Sequence, residues 1–192
     1  MKAVIDTSSW ISLVRYYLPF DKDGKLFNFF RDKLASGEFI MIDEVEKECG
    51  YMAGGLVMQK LDFLSDKDYL KEHKPVRNTS TLVPPNPVKF FNQVEANFVI
   101  ASQRRRLDDV QFENQKNQFL GSADAKLVIF CLDHLKQSPL DPIVLVTEES
   151  ESANDGKLFQ RIPTICRQLD ITVKTLPQML SEYAAEIGLV FQ

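Results

Sequence analysis

Acidic residues follow three apolar runs of this sequence, and carboxylates gathered in that way are suited to holding a hard divalent cation. Asp6 follows Ala3-Val4-Ile5, Asp43 and Glu44 follow Phe39-Ile40-Met41-Ile42, and Glu148 and Glu149 follow Ile143-Val144-Leu145-Val146 and Thr147. In an open parallel sheet, ligands collect beyond the carboxyl ends of the strands, which is where each of these acids would stand. Several acids at one edge repel one another, so the pattern implies a compensating cation. Two more acids interrupt the apolar faces of their helices. Glu48 lies three residues after Val45 and four before Met52, while Asp124 precedes Leu127, Val128 and Cys131 by three, four and seven. Each therefore shares a face with a packing stripe, and an acid turned toward a core needs a metal or a partner. An oxygen-only donor set suits Mg²⁺ or Mn²⁺, whose bound water can attack a phosphodiester while the ion stabilises charge on the phosphoryl and leaving oxygens.

Each acid also has an ordinary reading beside the chemical one. A carboxylate after a strand caps a helix or closes a turn, and Asp124 in a first helical turn favours the positive end of the macrodipole. Glu46 is explained as the capping-box partner of Asp43, which leaves it outside the site.

The elements that must position these residues are legible from periodicity. Strands are expected at Ala3–Ile5, Phe39–Ile42, Ile143–Val146 and Ile171–Val173. Helices are expected after Asp6, over Lys25–Leu34 with a stop at Ser36-Gly37, and from Asp43 to about Met52. Gly54-Gly55 interrupts, and Pro84, Pro85 and Pro87 exclude regular structure around Thr79–Pro87. A polar helical stretch runs from Val88 to about Leu120, so residues 54–120 read as an insertion or helical cap on one domain spanning residues 1–192. Ser122 caps a helix ending before Pro139–Pro142, Arg161–Leu169 forms a short helix, and Thr175 with Pro177 opens a last helix through Ile187. Alternating strands and helices predict an α/β fold with a mostly parallel sheet covered on both faces.

Composition bounds the function. A chain of 192 residues supports one core, and 44% hydrophobic with 26% charged residues excludes a disordered or fibrous chain. With 23 basic against 27 acidic residues, no global positive field holds nucleic acid, so such a role needs a local patch. Arg104-Arg105-Arg106 is the basic cluster, with a solvated helix face as its ordinary reading. Phe90-Phe91 reads as core. No apolar run approaches the ~18 residues of a membrane span, and Asp6 comes too early for a signal-peptide core, so a cytoplasmic protein is expected. Cys49, Cys131 and Cys166 are too scattered for a disulfide or zinc framework and read as reduced core thiols. No glycine fingerprint for nucleotide phosphates and no nucleophile elbow is present. The imidazoles are His73 and His134, the latter expected to face solvent, and Asn78-Thr79-Ser80 carries no weight as a glycosylation triplet without a secretory signal. A receiver-like domain with Asp43 as phosphoacceptor leaves the hydroxyls after Asp6 and the acid at Asp124 unexplained.

Four segments in order, Val4-Ile5-Asp6-Thr7-Ser8-Ser9, Glu48 in the helix after the second strand, Ser122-Ala123-Asp124 and Val146-Thr147-Glu148-Glu149, resemble the PIN domain. The resemblance covers roughly residues 1–55 and 120–185 and does not extend to the middle segment. The tail, with Arg161-Ile162-Pro163-Thr164-Ile165-Cys166 and Leu176-Pro177-Gln178-Met179-Leu180, is similar to a bacterial PIN subfamily of uncharacterised proteins. The resemblance implies a three-layer α/β/α sandwich and a Mg²⁺- or Mn²⁺-dependent endoribonuclease, of the kind found as the toxin of VapBC-type toxin–antitoxin pairs, leaving 5′-phosphate and 3′-hydroxyl ends. It implies Asp6, Glu48, Asp124 and Glu149 as metal ligands, with a hydroxyl of Thr7 or Ser8 orienting them and Thr147 preceding the last acid. That last motif usually carries Asp in the family, so Glu148 and Asp155 are further candidates for the fourth place. The partners implied are RNA, an antitoxin protein and a second copy of the chain. The alternative is a PIN-fold scaffold that binds protein or RNA without cutting.

Overall fold

The computed structural model describes residues 1–151 and 156–188. The β-branched run of β1 (Lys2–Ile5) ends at Asp6, and the chain turns at once into α1 (Thr7–Ser12), which continues as a π-helical turn over Leu13–Tyr17. Next come α2 (Lys25–Ala35), β2 (Phe39–Ile42), α3 (Asp43–Tyr51), α4 (Leu56–Lys60), α5 (Lys67–His73) and the two-residue β3 (Val76–Arg77). The middle segment continues through α6 (Pro87–Gln93), α7 (Ala101–Arg104) and α8 (Asp109–Gly121). The chain then forms α9 (Ala123–Gln137), β4 (Ile143–Val146), α10 (Ile162–Gln168), β5 (Thr172–Lys174), α11 (Leu176–Glu182) and α12 (Ala184–Ile187).

The strands form one sheet in the order β3-β2-β1-β4-β5, and every neighbouring pair is parallel. With helices packed over it, the chain is an α/β protein built as a three-layer α/β/α sandwich. Its strands are apolar because both faces are covered: every residue of β2 and β4 is buried. The order places the site. From β1 the chain moves outward to β2 on one side, and later returns to lay β4 on the other side. That reversal opens a crevice beyond the carboxyl ends of β1 and β4.

Beneath the crevice, Trp10 of α1 is fully buried and meets Phe30 of α2 edge-on at 5.6 Å, and Phe30 meets Phe39 of β2 at 5.3 Å. Each such ring contributes about 1.5–3 kcal/mol by leaving water. The aromatic set therefore anchors α1, and with it the acid at its start, to the sheet. After α3 the backbone reverses through left-handed Gly54 and Gly55. A Cβ at Gly55 would lie 2.9 Å from the Gly50 carbonyl oxygen, so only glycine fits there.

Several expectations are corrected. The strand β3 was not foreseen, because two residues between Pro75 and Asn78 carry no periodicity, yet it pairs with Met41 and Ile42 and makes the middle segment part of the sheet. The polar helical stretch is broken at Val99, which bridges antiparallel to Phe159. The last helix is interrupted at Tyr183. Asp43 does not cap α3, whose N-cap is Ile42, so the capping box with Glu46 is absent. The Asp43 carboxylate instead accepts from Thr79 N–H at 3.1 Å and Thr79 Oγ1 at 2.5 Å, tying the middle segment to the sheet edge. His134 is largely covered, its Nε2 lying 3.0 Å from the Asp141 carbonyl oxygen. Phe90 is buried as expected, whereas Phe91 is exposed. The three cysteines are buried free thiols, and burial pushes Cys49 and Cys166 up to about 12. Among the described residues, no helix is long and apolar enough to cross a membrane.

Candidate functional site

Asp6 leaves β1 as the N-cap of α1, with its own N–H bonded to the Val146 carbonyl at the end of β4. It therefore sits at the reversal of strand order. Its Oδ1 accepts the Thr7 N–H at 2.7 Å, and its Oδ2 accepts Ser8 Oγ at 2.6 Å and Thr147 Oγ1 at 2.9 Å. The two hydroxyls are in turn acceptors, Ser8 from the Glu148 N–H at 3.0 Å and Thr147 from the Glu149 N–H at 3.2 Å. Each hydroxyl has one proton, and both are directed at Asp6. The 3.2 Å contact between Ser8 Oγ and Thr147 Oγ1 therefore adds no further bond. Burial raises the pKa of Asp6 above its ordinary value, with these hydrogen bonds opposing the rise and the charge of Glu149 adding to it.

The other acids arrive from distant segments. Glu48 projects from α3, and its Oε2 accepts from Thr7 Oγ1 at 2.5 Å, so Thr7 orients Glu48 while Ser8 and Thr147 orient Asp6. Burial raises the pKa of Glu48, assisted by the charges of Asp6 and Glu44 against the pull of Thr7 and Lys157. Asp124 stands in the first turn of α9, whose N-cap Ser122 accepts the Ala125 N–H at 3.4 Å. Its carboxyl is raised to about 7, first by burial and then by the charges of Asp6, Glu149 and Glu48, with Lys157 opposing. No hydrogen bond to the Asp124 carboxylate is formed among the described residues. Asp6, Glu48 and Asp124 line a single cavity of about 480 Å³ together with Ser8, Arg15, Tyr16 and Lys157.

The two glutamates after β4 also border this cavity, but their carboxylates are directed elsewhere. Glu149 Oε1 is bound by the Arg161 guanidinium, with Lys157 Nζ at 4.0 Å, and Oε2 accepts the Ile162 N–H at 3.2 Å at the start of α10. Glu148 Oε1 accepts the Leu176 N–H at 2.6 Å at the start of α11. Both therefore anchor helix starts. Glu149, the expected fourth metal ligand, thus lines the same cavity as Asp6, Glu48 and Asp124 while its carboxylate is held by Arg161 and the Ile162 N–H. Asp155, the further candidate, lies outside the described residues.

Among the described residues, no three His, Cys, Asp or Glu side chains are drawn together closely enough to hold a metal ion as they stand. Repulsion between unscreened like charges opposes a closer approach. The donors are nevertheless of the hard oxygen type, and the cavity lining sets Asp6, Glu48, Asp124, Glu148 and Glu149 against Arg15 and Lys157.

Arg15, Tyr16 and Lys157 line the cavity without having been singled out from sequence. For Arg15 a signal existed, since Ser8, Ile11, Ser12 and Arg15 follow helical spacing from the Asp6 motif. Lys157 had none. The Arg104 guanidinium is committed to Asp109 at 2.7 Å and lies 4.2 Å from the centroid of the Phe112 ring, while Arg105 and Arg106 are exposed.

No curated protein and no solved structure matches the chain. A family model described as a domain of unknown function, DUF4411, matches residues 4–187, and the chain belongs to the DUF4411 family.

Proposed function

We propose that this protein is a Mg²⁺- or Mn²⁺-dependent endoribonuclease that hydrolyses RNA phosphodiester bonds in the cytoplasm, a PIN-like nuclease in the sense of its sequence resemblance. One observation carries the reading. Asp6, Glu48 and Asp124 come from three separate elements and line one cavity at the strand-order reversal, with three hydroxyls aiming two of them. These three acids would hold the metal. A divalent ion bound there supplies an activated water and stabilises charge on the phosphoryl oxygens. The protein's own share is positional. Ser8 and Thr147 fix the orientation of Asp6, Thr7 fixes that of Glu48, and α9 presents Asp124 from its N-terminal turn. Oriented ligands of this kind tune metal affinity by 10–100-fold, roughly, through the groups that hold them. The finer assignment, the toxin of a type II pair with an antitoxin protein and a second copy as partners, rests on the resemblance of the four motifs.

The test is Mn²⁺ titration by calorimetry on the wild type and on an Asp6→Asn/Asp124→Asn variant shown to be folded by circular dichroism. It is followed by incubation with RNA and end-group analysis for 5′-phosphates. Metal binding and cleavage by the wild type, both lost in the variant, are expected. Equal heats for the two proteins would remove the nuclease reading at its first step. The scaffold alternative has one observation in its favour: the glutamate at the fourth position, which borders the cavity, is ion-paired with Arg161.

A further inference from the structure

The acidic cavity adjoins a second cleft of about 440 Å³, and Tyr16 lines both. Tyr16 is 64% exposed and Phe20, on the second cleft, is 80% exposed, in a chain whose other aromatic rings mostly pack into the core. The segment that presents them is unusual in its backbone. Leu13–Tyr17, which carries Tyr16, is a π-helical turn, a geometry that widens the helix and is found disproportionately at functional sites, and Phe20 ends the 3-10 turn Leu18–Phe20 that follows it.

The charges on the same stretch are available. The side chains of Arg15, Lys22 and Lys25 form no ion pair among the described residues, although Arg15 lines the same cavity as Asp6, Glu48, Asp124, Glu148 and Glu149. The cleft also holds two acids, Asp21, which accepts the Leu26 and Phe27 N–H groups at 3.1 and 2.9 Å at the start of α2, and Asp23. Over residues 15–25 Arg15, Lys22 and Lys25 exceed Asp21 and Asp23 by one charge, in a chain of net charge -4.

Exposed rings interleaved with unpaired cations are the composition of a single-strand nucleic-acid site. Rings stack on base faces and cations meet phosphates, and a duplex hides its base faces in its own stack. We propose that Tyr16 and Phe20 form a base-stacking platform that seats unpaired nucleotides of the RNA strand beside the acidic cavity, with Arg15 at the rim meeting a phosphate. The proposal deepens the ribonuclease reading and rests on it for the identity of the ligand. Stacking is indifferent to base identity, so the platform sets strandedness rather than sequence.

The experiment uses the full chain with Ca²⁺ present. Fluorescence anisotropy measures binding of a labelled oligouridylate and of an RNA duplex of equal length. The wild type is expected to favour the single strand, the Tyr16→Ala/Phe20→Ala variant to bind it at least about tenfold more weakly, and Tyr16→Phe to retain wild-type binding. Arg15→Gln is expected to lower the slope of log Kd against log salt by about 0.7, one phosphate contact on a single strand. Preference for the duplex, or unchanged affinity in the double-alanine variant with its fold intact, would overturn the platform. Mn²⁺ calorimetry on the double-alanine variant separates the two readings. Metal binding with oligonucleotide affinity indifferent to Tyr16 and Phe20 leaves the nuclease and removes the platform. Ring-dependent single-strand binding by a wild type that takes up no Mn²⁺ leaves the platform and removes the nuclease.

Discussion

Replacing Asp124 by Asn is expected to stabilise the metal-free protein above neutral pH. The Asp124 carboxyl moves from 3.8 to about 7 on folding, by burial first and by the charges of Asp6, Glu149 and Glu48 after it. Between those two values the folded protein keeps a proton that the unfolded chain has released, so stability falls as pH rises through that window. At about 1.4 kcal/mol per pH unit, the interval sets a ceiling of about 4 kcal/mol. Partial solvent access screens the charges, and the positive end of α9 returns about 0.3–1 kcal/mol to the ionised form, which leaves about 2 kcal/mol. Asn has the same shape, and no hydrogen bond to the carboxylate is lost with the substitution. For a chain of this length the gain corresponds to a Tm higher by about 4–8 °C. Thermal melts followed by circular dichroism in EDTA, from about pH 4 to about pH 8, measure it. The two proteins are expected to coincide at the acid end and to separate through neutrality. Saturating Mn²⁺ reverses the order, since metal at a hundred times its Kd adds about 2.7 kcal/mol to the protein that binds it. A variant no more stable than the wild type in EDTA at about pH 8 would refute the claim that uncompensated carboxylates crowd this cavity.

Thr147→Val removes the hydroxyl that donates to Asp6 at 2.9 Å while barely changing volume. A loss of about 1.5–3 kcal/mol in urea unfolding and a roughly 10–100-fold weaker Mn²⁺ affinity by calorimetry are expected. Glu149→Gln is expected to keep Mn²⁺ binding but to lose about 1–2 kcal/mol of stability, because it removes the part-buried ion pair between Glu149 and the Arg161 guanidinium. A Glu149→Gln protein that folds normally and fails to bind Mn²⁺ would make Glu149 a fourth ligand. Tyr183→Phe removes the phenol that donates to Glu38 at 2.7 Å. Burial works to raise Glu38, but its bonds to Lys33 and Tyr183 prevail and hold it below the ordinary range. The contribution is therefore present above about pH 4.5 and lost as acid protonates Glu38. Denaturation midpoints are expected to show a cost of about 1–2 kcal/mol near neutrality that shrinks in acid.

Much of the framework is legible in the sequence. Four strands announced themselves as short apolar runs bounded by acids, glycines or prolines, and all four are in the sheet. Asp6, Glu48 and Asp124 stood out because a strand end or a helical core face held a charge, and the fold brings all three to one cavity. The rest needed contacts between residues far apart in sequence. β3 exists only because Met41 and Ile42 offer it a partner. Asp43 and Asp6 are the same residue type in the same local setting, yet Asp43 faces the edge where Thr79 meets it and Asp6 faces the crevice beside β4.

The choice among the last acids shows the same division. The motif resemblance pointed to Glu149, with Glu148 and Asp155 as further candidates. The arrival of α10 and α11 above the end of β4 then supplied Arg161 and the Leu176 N–H, which claimed both carboxylates. By itself the sequence determined the elements and the acids at their ends, because periodicity, capping and burial of charge are written in residues a few positions apart. Tertiary structure decided which acids face one another and which are neutralised, because strand order and helix docking bring together groups that no local pattern relates.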